Sequence, residues 1–495
     1  MSRSYTSNNV TSEDCLYLNI FKSIFCTPES PCPIIVYMHG GEMVYDSNMY
    51  DNYAFLVDAF PARGLIFVTV SFRLGSFANI DLGDDQNLAP TNLGMADVIE
   101  SLRFLKQEGH SFGGDASRIV LFGHSYGAVL SLSVAYSPVQ QRDVGISRVI
   151  AFAPQLFYLP DRLLRFDTET LVKGAACERA TPEETLHCLR ALTADELLDA
   201  QETYNARSAD AVHSFTYNTF KAPFLPFKGV QDMLDHPPKG TSLLVGTTRR
   251  EHDYEDTRVG PIPPKIPYTE FVLLEDRAWP ELWALYQKEI AEGTMDNHKD
   301  GSVIAFVSTF EVARSFAKGG NKAFVYSMDQ DPRTFHLDEL VAYLGWKGAM
   351  NYNYTTGSDD KIVAKFYPRL LVNFTRFGDP SPLWKPFSLD NEDYFSIYVN
   401  KSIGKWPETL PHYQKKIVDF WVKGIQKMDD NLKSSVKAPG IRELLTEVKP
   451  AANADDLIAG VLFIGIIAMA AIGLVNLLTR RRIAAKQDEY QALLD

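Results

Sequence analysis

Between residues 33 and 155, short runs with hardly a polar residue alternate with amphipathic ones. PIIVYMH (33–39), GLIFVTVSFR (64–73), RIVLF (118–122) and SRVIAFAP (147–154) read as strands, bounded as strands are and rich in β-branched and aromatic residues. NLGMADVIESLRFLKQE (92–108) repeats its apolar residues at three- and four-residue steps, the period of a helix with one buried stripe. Strands that are apolar at nearly every position cannot leave a face to water, and strands separated by helices return to their sheet in the same direction. The pattern predicts an α/β chain, a mostly parallel central sheet with helices on both faces. TSLLVGTT (241–248) and KAFVYSMD (322–329) add strands to it. Long helices are expected at about 360–377 and 412–428, and the charged, proline-bearing stretch 160–240 reads as a lid or excursion.

Gly123-His124-Ser125-Tyr126-Gly127 falls between RIVLF and the apolar helix AVLSLSVAY (128–136). A G-x-S-x-G pattern arises by chance about 0.2 times in a chain of this length, so its context has to decide. A strand that turns sharply into a helix at this pattern is a nucleophile elbow, where glycines permit the turn and the hydroxyl stands above an α/β-hydrolase sheet. A serine hydroxyl needs a base, usually a histidine oriented by a carboxylate. In that fold the chain order is serine, acid, histidine. His39 and His124 precede Ser125, whereas His336 follows the strand KAFVYSMD and Glu251 follows TSLLVG. Position favours these two as base and acid, with Asp253 and Asp338 as other acids and a structural role for either partner still open.

The chain carries 62 Asp and Glu against 49 Lys and Arg with no basic stripe, which argues against a nucleic-acid partner. The reading invokes no cofactor and no metal. LIAGVLFIGIIAMAAIGLVNLL (457–478) is apolar on every side and long enough to span a bilayer as a helix. Arg480, Arg481 and Arg482 beyond it mark that side as cytoplasmic. The expected layout is a catalytic domain over 1–428, a stalk over 429–456, the span, and a cytoplasmic tail over 479–495: a single-pass type I protein with its large domain extracellular or lumenal. Asn9, Asn353, Asn373 and Asn400 lie in N-x-S/T sequons and fit that side of the membrane. Cys177 and Cys188 lie in one short stretch where a disulfide is plausible, and Cys26 and Cys32 flank a proline-containing loop that could close likewise. Cys15 is then odd. MSRSYTSNNV has no apolar core for a signal peptide, and the expectation is a natural chain with further N-terminal residues that hold a signal and a partner for Cys15.

Several ordered motifs make the chain resemble the type-B carboxylesterases, the family that includes the cholinesterases. SEDCLYLNIF (12–21) matches its acidic-cysteine signature, VYMHGGE (36–42) its oxyanion loop, and FGGDASRIVLFGHSYGA its elbow. FTRFGDPSP (374–382) resembles its C-terminal signature, and the likeness runs over about residues 12–425. The resemblance implies an α/β-hydrolase fold and hydrolysis of carboxylic esters. It implies Ser125 as nucleophile, Glu251 as acid and His336 as base, with backbone N–H groups near Gly40, Gly41 and Tyr126 as the oxyanion hole. It also implies a Cys177–Cys188 disulfide and leaves a homodimer open. Two departures stand out. Glu42 replaces the third glycine of the oxyanion loop, where a side chain resists the backbone shape and a lost donor would cost about 2.7–4 kcal/mol of transition-state stabilisation. His124 replaces a carboxylate that in the family lies near the catalytic histidine, which speaks against acetylcholine as substrate. Passage of the acyl group to an alcohol, and a neuroligin-like adhesion role without catalysis, are the alternatives.

Overall fold

Among the described residues, nine strands form one sheet in the order β1-β3-β2-β4-β5-β6-β7-β8-β9. They are β1 (Leu18–Lys22), β2 (Cys32–Met38), β3 (Ile66–Val70), β4 (Gly114–His124) and β5 (Arg148–Phe152). β6 (Ser242–Thr248), β7 (Ala323–Met328), β8 (Tyr394–Ile397) and β9 (Glu408–Leu410) complete it. The computed structural model describes residues 12–48, 53–159, 161–207, 215, 217–253, 288–289, 291–293, 296, 298, 300–330, 334–344 and 357–425. The chain forms two units, Met1–Ile417 and Val418–Asp495.

The continuous apolar runs are strands buried on both faces: every residue of β2, β3 and β7 is buried. From β3 to β8 all neighbours are parallel, and only the edge strands β1 and β9 run antiparallel. Side chains alternate between the faces. Ile35, Tyr37, Phe122, Phe152 and Tyr326 point to one face, where they pack with Tyr367 and Leu371 of the helix Ser358–Phe377. Met38 points to the other and meets Ser131 of the helix Tyr126–Tyr136 at 3.9 Å. That helix is buried along its whole length, which explains a sequence with no polar side at all. Phe152 is the hinge of the first cluster, edge-on to Phe122 at 5.2 Å and to Tyr326 at 5.0 Å.

Parallel register brings the carboxyl ends of the central strands to one edge. Met38 pairs with Gly123, His124 with Phe152, Phe152 with Gly246, and Thr248 with Met328. The loops that follow carry Gly40, Ser125, Glu251 and His336, so one edge collects them all, as open parallel sheets do with their ligand sites.

The stretch 160–240 contains the helices Asp161–Gly174, Pro182–Ala191, Ala194–Arg207 and Val230–Leu234. The disulfides Cys26–Cys32 and Cys177–Cys188 are both formed, and Cys15 is a free, half-buried thiol. The helix expected from about residue 412 begins later, at Lys415. His412 and Gln414 hold positive φ (63° and 45°), and the N–H groups of His412 and Tyr413 are committed to the carbonyls of Asn391 and Glu392. Among the described residues no helix is long and apolar enough to cross a membrane. The 457–478 segment, the stalk, the tail, Asn9 and Asn353 lie outside the described residues.

Candidate active site

The elbow is built by close approach. β4 ends at His124, the helix begins at Tyr126, and Ser125 between them holds φ 59° and ψ −126°. A non-glycine residue in such backbone stores about 1–3 kcal/mol and needs its surroundings to hold it. The Ser125 N–H donates to Phe152 O across 2.8 Å, which pins the turn to the neighbouring strand. Both flanking glycines are obligatory. A Cβ on Gly123 would collide with the main-chain oxygen of Gly127, and one on Gly127 with that of Met38.

The loop after β2 comes against the same serine. A Cβ on Gly40 would lie 3.1 Å from Ser125 Cβ and 3.7 Å from its Oγ. Gly41 has φ 86°, and Glu42 and Met43 also take positive φ, at 51° and 62°. The non-glycine Glu42 thus adopts a left-handed backbone, held from both sides. Val44 and Tyr45 N–H donate to Gly41 O at 2.9 and 3.1 Å, and Gly75 N–H donates to Met43 O at 2.7 Å. Tyr126 ties this loop to the elbow: its buried hydroxyl sits 2.9 Å from Met43 Sδ and donates to Asn218 Oδ1 at 3.1 Å. As the first helical residue, Tyr126 has no intrahelical acceptor for its own N–H.

Glu251 and His336 meet. His336 Nδ1–H donates to Glu251 Oε2 across 2.6 Å, and Thr248 N–H donates to Oε1 across 2.5 Å. The two loops are also joined along the main chain, His336 N–H to Glu251 O at 2.9 Å and Arg250 N–H to Thr334 O at 2.8 Å. Glu251 is fully buried and His336 is 7% exposed. Burial pushes the His336 imidazole down to about 4. It pushes the Glu251 carboxyl upward, against the lowering effect of the Thr248 N–H. Both shifts have one cause, the expense of a charge away from water. The other acids are engaged elsewhere: Asp253 pairs with His298 Nδ1 at 2.8 Å and accepts from Ser302 Oγ at 2.7 Å, and Asp338 accepts from Phe335 N–H at 2.9 Å.

The resemblance places His124 near this pair, and sequence reasoning did not find its other neighbours. The His336 ring packs against two other imidazoles, His124 at 4.6 Å and His252 at 4.3 Å between centroids. His124 Nε2–H donates to His336 O across 2.8 Å, which fixes the neutral tautomer, and burial holds its pKa well below the ordinary histidine value. Behind it, fully buried Glu339 accepts from the hydroxyls of Tyr326 (2.6 Å) and Tyr367 (3.0 Å). Burial raises Glu339 well above the carboxylate range. For His252 and Glu339 the sequence signal is adjacency, His252 beside Glu251 and Glu339 three positions after His336. Of the described sequons, Asn400 Oδ1 accepts from Ser402 Oγ at 2.6 Å, and Asn373 Nδ2 donates to Pro380 O at 3.1 Å.

Residues 1–265 match the family model described as the Carboxylesterase family. The chain is 25% identical over 461 residues to liver carboxylesterase 1 of Mus musculus, an alignment that covers 83% of this chain and 77% of that protein. It is 26% identical over 448 residues to the liver carboxylesterase of Sus scrofa, covering 80% and 75%. Among solved structures, a PNB esterase matches with a TM-score of 0.65 at 19% identity, covering 78% of this chain and 82% of that one. The juvenile hormone esterase of Manduca sexta, with OTFP covalently attached, matches with a TM-score of 0.65 at 18% identity and 84% coverage of both chains. These two likenesses concern the fold, and both neighbours share the α/β-hydrolase-type esterase architecture. The chain belongs to the carboxylesterase family and is a carboxylic ester hydrolase.

Proposed function

We propose that this ester hydrolase works through an acyl-enzyme on Ser125, with His336 as general base and Glu251 as the acid that orients it. The observation that carries the reading is the 2.6 Å bond from His336 Nδ1 to Glu251, at the sheet edge where the Ser125 elbow stands. A carboxylate that accepts Nδ1–H leaves the lone pair on Nε2 for the serine proton. Ser125 Oγ attacks the ester carbonyl as His336 takes its proton. The tetrahedral oxyanion accepts hydrogen bonds from the N–H groups of Gly40, Gly41 and Tyr126. Collapse expels the alcohol, which takes the proton back from His336, and water then releases the acyl group by the same steps. An alcohol in place of water would make the site an acyltransferase; water is assigned here because hydrolysis is the family's reaction. A purely adhesive role is not favoured, since the chain belongs with ester hydrolases.

The anchored layout is part of the same proposal. The apolar run 457–478 with Arg480–Arg482 beyond it supports a type I span, with the catalytic domain extracellular or lumenal and carrying sugar at its sequons. Two experiments test the two halves. Hydrolysis of a p-nitrophenyl ester that vanishes in Ser125→Ala supports the site, and equal activity in the variant removes it. Glycosidase-sensitive mobility of the protein from cells supports the layout, and a sugar-free domain digested by protease from the cytosolic side removes it.

A further inference from the structure

His252 has no part in the proposed chemistry, yet its ring packs on that of the proposed base, tilted by 36° at 4.3 Å between centroids. One ligand atom from each of Glu251, His252 and His336 falls within 4.8 Å of the others. Two imidazoles and a carboxylate form a borderline donor set of the kind Zn²⁺ takes at bond lengths of about 2.0–2.2 Å. Hard cations such as Mg²⁺ and Ca²⁺ prefer oxygen alone. The side chains around the three are also placed as metal sites require. Thr248 N–H occupies Glu251 Oε1 and leaves Oε2 to His336 Nδ1. Gln155 Nε2 lies 2.5 Å from His252 Nε2, and an amide in that place can present N–H or, turned over, oxygen, so it can hold either tautomer of His252. His252 is only half-buried, which gives a cation a way in while Glu251 stays fully enclosed.

We propose that Glu251, His252 and His336 form an inhibitory site for a divalent transition cation, with Zn²⁺ the best match. The inference rests on the reading of His336 as base. A cation on His336 Nδ1 takes the place of the hydrogen bond to Glu251, and one on Nε2 leaves that bond standing. Coordination through His336 Nε2 uses the lone pair directly. Coordination through Nδ1 moves the imidazole proton to Nε2. In both cases no lone pair remains to accept the Ser125 proton, and the esterase falls silent until the metal is removed. His252 supplies the second imidazole that turns a catalytic pair into a chelate.

The test uses the full-length protein freed of metal with EDTA and then titrated with ZnCl₂. Three quantities are read: p-nitrophenyl ester hydrolysis, the rate of fluorophosphonate labelling, and zinc uptake in competition with a zinc-binding dye. One equivalent of zinc is expected to suppress both rates together, with recovery on EDTA and no response to MgCl₂. In His252→Ala, and in His252→Gln as a second variant that keeps the bulk, the half-inhibiting zinc concentration should rise about tenfold or more, each measured against its own metal-free rate. Inhibition of both variants at the wild-type zinc concentration, or a wild-type enzyme indifferent to zinc, overturns the proposal. The dye needs no catalysis. A metal-free protein without esterase activity or labelling that still takes up zinc in a His252-dependent way would sustain the metal site and remove the reading of the triad.

Discussion

His124 Nε2–H donates to the main-chain oxygen of His336 across 2.8 Å, so the residue before the proposed nucleophile holds the backbone of the proposed base. The sequence separation is 212 residues, and the bond fastens the end of β4 to the loop after β7. Because burial keeps His124 neutral, the donor stays on Nε2 through the physiological range.

Loss of that tether should slow chemistry more than it weakens binding. His124→Ala is expected to lower kcat about 10- to 100-fold, the scale of a misplacement near 1 Å, with KM little changed. His124→Gln, whose amide can donate the same bond, should recover part of the loss. Steady-state kinetics on a p-nitrophenyl ester series decide it, and an unaltered kcat in His124→Ala would reduce the bond to packing.

Glu251→Gln should fold with an unchanged melting temperature and lose about 10³- to 10⁴-fold in kcat. A neutral amide can favour the wrong His336 tautomer and cannot stabilise the imidazolium. Near wild-type turnover would mean that Asp338 or Asp253 rotates in to serve instead.

The pH profile follows from burial. The proposed base, His336, would act as neutral imidazole, and its protonation is depressed because a buried imidazolium is poorly solvated. Activity is therefore retained as pH falls through the ordinary histidine value of about 6.5 and is lost only toward about 4. The acid limb of kcat/KM measures this, and an inflection at 6.5 or above would contradict it.

The elbow leaves no space for a methyl group. Gly127→Ala drives a Cβ into the backbone oxygens of Met38 and His39, which cannot swing away as a side chain could. It should destabilise the domain by about 1–3 kcal/mol or more, as overpacking does, read as a lowered denaturant midpoint. A variant as stable as the parent would show that β2 can yield at this point.

How much of this was legible in the sequence depended on locality. β2, β3, β5, β6 and β7 are apolar on both faces, so each appears as one unbroken run, and the elbow between β4 and its helix is written in five adjacent residues. β1, β8 and β9 lie toward the edges with partly exposed residues, and that pattern is weaker than the run of a buried strand. Glu251 and His336 could be picked out because each follows a recognisable strand. His252 and Glu339 neighbour Glu251 and His336 along the chain, but the packing of His252 on His336 and the bonds of Glu339 to Tyr326 and Tyr367 join separate loops, a strand and a helix, which no local spacing encodes. The expectation that Glu42 would resist the loop is answered by Gly41, Val44, Tyr45 and Gly75, whose main-chain hydrogen bonds hold a positive φ at a residue that seldom adopts it.

The central claim is that Ser125 is an activated nucleophile. The measurement that reaches it most directly is reaction of the folded protein with a fluorophosphonate probe, followed by mass mapping of the adduct. The account predicts one adduct, on the peptide that contains Ser125, absent in Ser125→Ala and nearly absent in His336→Ala. A folded protein that stays unlabelled, or one labelled equally well after Ser125→Ala, would contradict it.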